Sequence, residues 1–197
     1  MAYTGLSVLR QQTQPGDIIQ GHITDGGSAP NIIHAYSAGT FIVRAHTKAR
    51  LSELKKKVEA CFRAGAEATG STLKMTSEGS YDDHTPNHAL ARSYRHFRNR
   101  LGGEIPPPTI DIIEGRSGAS TDQGNISYAY PSLHSGFQII SDAGAHNPGF
   151  TKAARSEDAH RRALLTGKAL AATAVEVLTR KGYLEEIKAE FAKLPKS

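Results

Sequence analysis

The chain has 197 residues, 38% of them hydrophobic, which is enough to bury the core of one or two domains. Its single cysteine, Cys61, excludes an internal disulfide and favours a reducing compartment. No apolar run approaches the roughly 20 residues of a membrane span, and residues 1–12 lack the apolar core of a signal peptide. We therefore expect a soluble, cytoplasmic protein without a membrane partner.

The formal net charge of +5 raises the question of a nucleic-acid partner. Basic and aromatic residues interleave from Arg92 to Leu101, but Tyr94 and Phe97 share one helical face with Leu101, and the arginines fall largely elsewhere. A solvated basic helix face explains this run, and also the three lysines at 55–57. We expect no nucleic-acid partner; a phosphate-binding stripe over residues 92–100 is the weaker alternative.

The first part of the chain predicts a helix, two strands, a second helix and a third strand. In chain order the ranges are residues 1–12, 17–24, 40–45, 48–69 and 71–76. Pro15-Gly16 ends the first helix, Asp25-Gly26-Gly27 forms a turn, and Gly70 ends the second helix. This order is typical of a two-layer α+β domain that lacks its first strand.

A break around residues 77–80 separates this part from a second one of different character. Helical patterns cover residues 87–101, 156–181 and 184–194, with Ser156 as an N-cap. Short apolar runs predict strands at residues 109–113, 126–130 and 137–140. We therefore expect a small domain over residues 1–77 beside part of a larger α/β domain over residues 78–197.

Three sequence blocks resemble a known enzyme family. They are Gly-Gly-Ser-Ala-Pro-Asn-Ile-Ile at 26–33, Ser-Thr-Asp-Gln-Gly-Asn-Ile-Ser at 120–127 and Ala-His-Asn-Pro-Gly-Phe at 145–150. In this order they resemble the second half of a zinc-dependent amidohydrolase of peptidase family M twenty, the aminoacylase and carnosinase group. The likeness is greatest to the branch that cleaves small N-acyl amino acids and dipeptides, and it runs from about residue 6 to residue 191.

The resemblance implies a partial two-layer, ferredoxin-like lid or dimerisation domain, followed by the carboxyl-terminal part of a zinc-hydrolase α/β domain. It also implies hydrolysis of an amide bond in a dipeptide or N-acyl amino acid by a zinc-bound water, with a glutamate as general base. Family members dimerise through the lid, so a homodimer is expected. The competing hypothesis is a non-catalytic dimerisation or interaction module from a truncated member of the family.

The family's His-x-Asp pair, bridging Asp and Glu-Glu pair have no counterpart in this sequence. His146 is the one metal ligand that the resemblance implies, because it precedes the turn before the last long helix. From the residues alone, a turn histidine is ordinary polar surface. His84 and His88 are poor candidates because Pro86 lies between them. A catalytic zinc usually needs three protein ligands, so we expect the chain alone to be inactive.

Two further groups of residues are candidates for substrate binding. An arginine binds a carboxylate bidentately and an amide can donate to it, and the resemblance assigns this role to Asn31 and Arg44. The alternative makes Asn31 a turn residue and Arg44 an outward strand residue. The chain has His34 where the family commonly has Pro.

The second group lies in the loop at residues 117–125, where glycines and hydroxyls can approach an anion closely. The resemblance places Ser120, Thr121 and Gly124 in contact with the substrate; a plain loop is the alternative. The sequence contains neither a Gly-x-Ser-x-Gly elbow nor a glycine-rich phosphate loop, so serine-hydrolase and nucleotide-binding functions have no support.

Overall fold

The computed structural model describes residues 1–109 and 119–194. The chain forms two compact units that divide between Asp83 and His84. Helices dominate, and the strands in the described ranges are the two of one antiparallel hairpin. This mixture of helices with a small sheet is compatible with the expected α/β class, whereas the ferredoxin-like detail stays a prediction.

The first unit contains α1, a short 3-10 turn, β1, β2 and α2, in that order: Ala2–Leu9, Arg10–Gln12, Ile18–Asp25, Ala38–Arg44 and Lys48–Thr69. The predicted bounds of β1, β2 and α2 agree with the structure to within two residues, and the helix predicted at residues 1–12 covers α1 and the 3-10 turn. The Thr47 side chain caps the start of α2 by accepting a hydrogen bond from the Arg50 N–H at 3.2 Å. Gly70 ends α2 with φ 63, a left-handed conformation that glycine adopts at low cost.

One face of the β1–β2 hairpin packs against the helices of this unit. Phe41 lies on that face, and its ring centroid is 6.4 Å from that of Tyr3 in α1 and 4.9 Å from that of Phe62 in α2. Gly21 is directly opposite Phe41 in the register, and a side chain there would overlap the Phe41 ring. The pairing register therefore depends on a glycine and an aromatic residue meeting across the strands.

A buried ion pair joins α2 to the start of the hairpin. The Arg50 Nε donates to Asp17 Oδ2 at 3.1 Å, and its Nη2 donates to the Gln12 carbonyl at 3.3 Å. The side chains are 12% and 2% exposed, respectively. The hydrogen bond from Arg50 lowers the pKa of Asp17 from its ordinary value. Because the folded pKa is depressed, this contribution to stability is present above the ordinary pKa and is lost as the pH falls through the folded one.

The third strand expected at residues 71–76 is wrong. These residues are exposed and have no regular structure. Leu73 and Met75 alternate with polar residues as in a half-buried strand, yet they are 37% and 45% exposed. A strand pattern leads to a strand only where a neighbouring edge supplies hydrogen bonds, because β-propensity depends on packing context. Within the described ranges, no segment pairs with either outer edge of the hairpin.

The second unit is helical in its described part. It contains α3, α4, α5, α6 and α7, in that order: His88–Arg100, Gln123–Ala129, Pro148–Ala154, Glu157–Thr179 and Tyr183–Phe191. The patterns that predicted α3, α6 and α7 are confirmed, and the Ser156 hydroxyl caps α6 by accepting from the Ala159 N–H at 3.1 Å.

The strands expected in the second unit are not observed. Residues 126–130 lie mostly inside α4, and residues 137–140 have no regular structure. In α4 the buried residues are Gly124 and Ser127, which are three apart, as on one face of a helix. A short apolar run cannot by itself distinguish strand from helix, which explains the error. Of the strand expected at residues 109–113, all but Thr109 lies outside the described residues.

The start of α3 is held against α7. Asn87 is 4% exposed; its Oδ1 accepts from the Leu90 N–H, and its Nδ2 donates to the Ile187 carbonyl, both at 3.1 Å. The Glu190 carboxylate accepts from the first N–H groups of α3, where a negative charge complements the helix dipole. Ala89, Tyr183 and Ile187 form the buried cluster below this contact.

The arginines of α3 mostly contact their own unit. Arg92 forms an ion pair with Glu186 at 2.6 Å, and the Arg95 Nε donates to the Ile105 carbonyl at 3.3 Å. These contacts join α7 and the turn after α3 to the face of α3 that carries the arginines. Among the helices in the described ranges, none combines the length and the apolar character that crossing a membrane requires.

We expect Asn87→Ala to lower the free energy of unfolding by about 2–3 kcal/mol, because it removes a cap and leaves the buried Ile187 carbonyl without its donor. Ser156→Ala is the matched control, since Ser156 caps a helix without a second buried contact; it should cost about 1 kcal/mol. Urea unfolding of the three proteins measures both values. Equal losses would show that the bond to Ile187 does not stabilise the unit.

Candidate functional site

The connection between β1 and β2, residues 26–37, carries Asn31. The Ile32 N–H donates to the Ala29 carbonyl at 3.3 Å and closes a turn around this residue. Asn31 is exposed, and because of the turn its side chain is available to a ligand.

His34 shapes this connection. Its Nε2 lies 3.1 Å from the Ala29 carbonyl, and its ring lies over Gly27, where a side chain would overlap it. Gly27 has φ 98, which favours glycine in any case. The histidine that replaces the family's usual Pro therefore folds the connection back on itself by side-chain contacts.

Arg44 lies at the far end of the hairpin. It is the last residue of β2, pairs with Ile18 and is half-buried. Seven residues form β2, a length of roughly 20 Å at the usual rise of a strand. Asn31 lies in the connection that precedes β2, and Arg44 is at the opposite end of that strand.

The loop with Ser120, Thr121 and Gly124 leads into α4. Ser120 is exposed and Thr121 half-buried; the Thr121 Oγ1 accepts from the Gln123 N–H at 3.3 Å. Gly124 is buried in the first turn, and its carbonyl accepts from the Ser127 Oγ at 2.6 Å. Ser117 and Gly118 lie outside the described residues. The structure thus places the three candidate residues within one short stretch around the start of α4.

His146 lies in the turn before α5. It is exposed and has φ 64, which makes it the non-glycine residue with positive φ in the described ranges. Asn147 follows it and caps α5 by accepting from the Gly149 N–H at 3.0 Å. A positive φ is uncommon outside glycine, although histidine is among the residues that adopt it more readily, and the role of His146 as a metal ligand stays a prediction.

The described residues do not form a complete zinc site. Across residues 1–109 and 119–194, no group of three or more His, Cys, Asp or Glu side chains could together hold a metal ion. Zinc sites in proteins use three or four converging ligands, and His146 offers one. The donor set of the described residues therefore does not fit a zinc ion without ligands from elsewhere.

Sequence reasoning missed two residues that support the α4 loop, Thr85 and Ser127. The Thr85 N–H donates to the Ser127 Oγ at 3.0 Å across 42 residues of sequence. Ser127 is the last residue of the block at 120–127, and this was the one signal that could have drawn attention to it. Nothing in the sequence around Thr85 indicates the contact.

Two curated proteins are similar to the chain over almost its whole length. It is 42% identical to an Xaa-Arg dipeptidase of Mus musculus over 192 residues and 41% identical to an Xaa-Arg dipeptidase of Homo sapiens over 193 residues. Each match covers 97% of this chain. The chain is therefore similar to Xaa-Arg dipeptidases of both species.

The chain spans 44% of the length of each of those relatives. No protein-family model matches it. The homology supports the predicted likeness to dipeptidases of peptidase family M twenty, and the resemblance to the N-acyl amino acid branch stays a prediction.

We expect the 197-residue chain, supplied with zinc, to hydrolyse no dipeptide and no N-acyl amino acid. The reason is the ligand count, since one imidazole binds zinc too weakly to support a catalytic site. Product release measured by chromatography against a zinc-only blank tests this. Turnover above the blank that His146→Ala abolishes would contradict the ligand count.

Proposed function

We propose that the chain is part of a metal-dependent dipeptidase and supplies the residues that bind the carboxylate of the substrate. The observation that carries this proposal is the 42% identity over 97% of the chain to an Xaa-Arg dipeptidase. In this proposal residues 1–77 are part of the lid, residues 78–197 belong to the catalytic domain, and the protein works in the cytoplasm. His146 contributes one of the zinc ligands.

Arg44 is the anchor for the substrate's carboxylate. The planar guanidinium of an arginine matches a carboxylate bidentately. Ser120 and Thr121, which are exposed and half-buried, contact the substrate from the catalytic domain, and the buried Gly124 supports this loop.

Asn31 precedes β2 and Arg44 ends it. This placement supports a site that is shared by two copies of the chain. Within the described ranges, the outer edge of β2 pairs with no strand, and such an edge favours pairing with another chain. When one edge contacts itself across a two-fold axis, the strands run antiparallel. The amino-terminal end of β2 in one copy then lies beside the carboxyl-terminal end of β2 in the other copy. Asn31 of one copy therefore approaches Arg44 of the other.

Side-chain exposure on the hairpin also supports association. Ile42 is 51% exposed and Ile18 is 38% exposed, and both lie on the face that does not carry Phe41. The alternative function, a non-catalytic dimerisation module, draws on these same observations. Catalysis by a complete protein that contains this chain separates the two functions.

A chimera provides that test. The matched 44% of the mouse Xaa-Arg dipeptidase is replaced by this chain, and hydrolysis of Xaa-Arg dipeptides is measured. The proposed function predicts turnover within about tenfold of the mouse enzyme, since the rest of the mouse enzyme supplies the zinc ligands that this chain lacks. A folded chimera, as judged by circular dichroism and cooperative unfolding, without turnover would favour the non-catalytic module.

In this chimera, Arg44→Ala should reduce kcat/KM for dipeptides by about 10- to 150-fold, the effect of losing one charged hydrogen bond of roughly 1.5–3 kcal/mol. Asn31→Ala should act in the same direction with a smaller loss. Dipeptides with an amidated carboxyl group should be affected much less, because they lack the negative charge.

Arg63→Ala is the matched control for this series. Arg63 lies on α2, its side chain is 53% exposed, and it forms a surface pair with Glu59 at 3.4 Å. Its removal should leave both substrate types unchanged. Equal losses of free and amidated substrates in Arg44→Ala would exclude the role as a carboxylate anchor.

The 197-residue chain should self-associate through β2, and Ile42→Pro should shift it toward monomer. Proline removes a backbone donor from the strand and disfavours regular pairing. Sedimentation velocity at tens of micromolar protein measures the change. Ser37→Pro, a substitution in the exposed connection just before β2, is the control. A monomer before any substitution would contradict pairing through this edge.

A further inference from the structure

We propose that Ser127 is a positioning residue, which together with Thr85 fixes α4 so that Thr121 contacts the substrate; this rests on the proposed function. Ser127 closes the sequence block at 120–127, and the resemblance gave it no role. It is 1% exposed, so its hydroxyl cannot contact a substrate directly.

The Ser127 hydroxyl is hydrogen-bonded inside the protein. It donates its single proton to the Gly124 carbonyl at 2.6 Å and accepts from the Thr85 N–H at 3.0 Å. The Thr85 Oγ1 lies 3.1 Å from the Ser127 Oγ and 3.3 Å from the Ser127 carbonyl oxygen, and its one proton can go to either. Gly124 and Thr85 therefore use the donor and at least one acceptor position of the Ser127 hydroxyl.

These bonds connect the start of α4 to the segment before α3. Gly124 and Ser127 lie on the same face of α4, and both are buried. The segment at Thr85 is itself fixed, because the Asn87 N–H donates to the Ser132 carbonyl at 2.9 Å and the Asn87 Nδ2 donates to the Ile187 carbonyl. Through Ser127, α4 is therefore attached to a part of the unit that cannot shift independently.

The consequence for the loop follows from its short length. Thr121 precedes Gly124 by one helical turn, and the Gly124 N–H donates to the Thr121 carbonyl at 3.4 Å. Helix α4 has seven residues, too few to be stable without tertiary contacts. Loss of the Ser127 hydroxyl would leave the Thr85 N–H without its acceptor and remove the side-chain bond to the Gly124 carbonyl, and the loop would move relative to the rest of the site.

Hydrogen–deuterium exchange on the 197-residue chain tests the positioning part without any enzymatic activity. We expect Ser127→Ala to increase exchange of the amides of residues 119–129 by about tenfold or more, with residues 48–69 unchanged as an internal reference. Ser127→Thr retains the hydroxyl and should exchange more slowly than Ser127→Ala. In the same way, Thr85→Ser should exchange more slowly than Thr85→Val. Unchanged exchange in Ser127→Ala would overturn the proposal.

Steady-state kinetics of the chimera test the substrate part. Ser127→Ala should raise KM by about tenfold with kcat changed by less than about twofold, because the loop binds ground state and transition state alike. Ser93→Ala is the matched control, since Ser93 is also buried and donates to Glu176; it should lower stability without raising KM.

The kinetic outcomes separate the inference from the proposed function. An active parent chimera whose KM does not respond to Ser127→Ala would overturn the positioning role and leave the dipeptidase assignment intact. A folded parent chimera without turnover would overturn the dipeptidase assignment, and with it the role of Ser127 in substrate binding. A raised KM that Ser127→Thr restores supports both.

Discussion

The antiparallel register of β1 and β2 is the constraint on which the account of the site depends. Gly21 leaves space for Phe41, whose ring packs between Tyr3 and Phe62, so the hairpin cannot slip by one residue without exposing this ring. The same register fixes Arg44 opposite Ile18 and leaves the connection with Asn31 at the other end. In the proposed function, a carboxylate site that uses both residues draws on two copies, and the outer edge of β2, which pairs with no strand in the described ranges, is where the two copies pair.

In the second unit, polar contacts over long sequence separations position the loop that the proposed function uses. Asn87, Glu190 and Tyr183 join α3 to α7, with the Tyr183 hydroxyl donating to the Ala89 carbonyl at 2.7 Å. Thr85 extends this set of contacts to Ser127 in α4. Buried polar groups cost free energy unless they are paired, so each of these bonds specifies one arrangement of helices. Within this set of hydrogen bonds, we expect substitution of Ser127 to change the affinity for the substrate. Substitution of Asn87 is expected to change the free energy of unfolding.

The sequence predicted much of the fold because long elements carry redundant signals. Helix α2 has apolar spacing over 22 residues, a Thr cap and a terminal Gly, and α6 has a Ser cap with acidic residues in its first turn. Short segments failed because their apolar patterns suit more than one structure: residues 126–130 are helical, and residues 71–76 lack a partner strand. The candidates Asn31, Arg44 and His146 came from the resemblance, since their surroundings in sequence are ordinary. The separation of Asn31 from Arg44 and the bond between Thr85 and Ser127 depend on tertiary geometry, which no local pattern encodes.

A complementation measurement tests the two-copy site most directly. Chimeras carrying Asn31→Ala or Arg44→Ala are unfolded together, refolded as a mixture and assayed with a dipeptide that has a free carboxylate. In a mixed dimer one site receives the intact Asn31 from one copy and the intact Arg44 from the other, so random pairing should restore about a quarter of the sites of the unsubstituted chimera. The account predicts this recovery, well above the activity of either variant alone. Activity of the mixture equal to the average of the two variants would contradict a site shared between two copies.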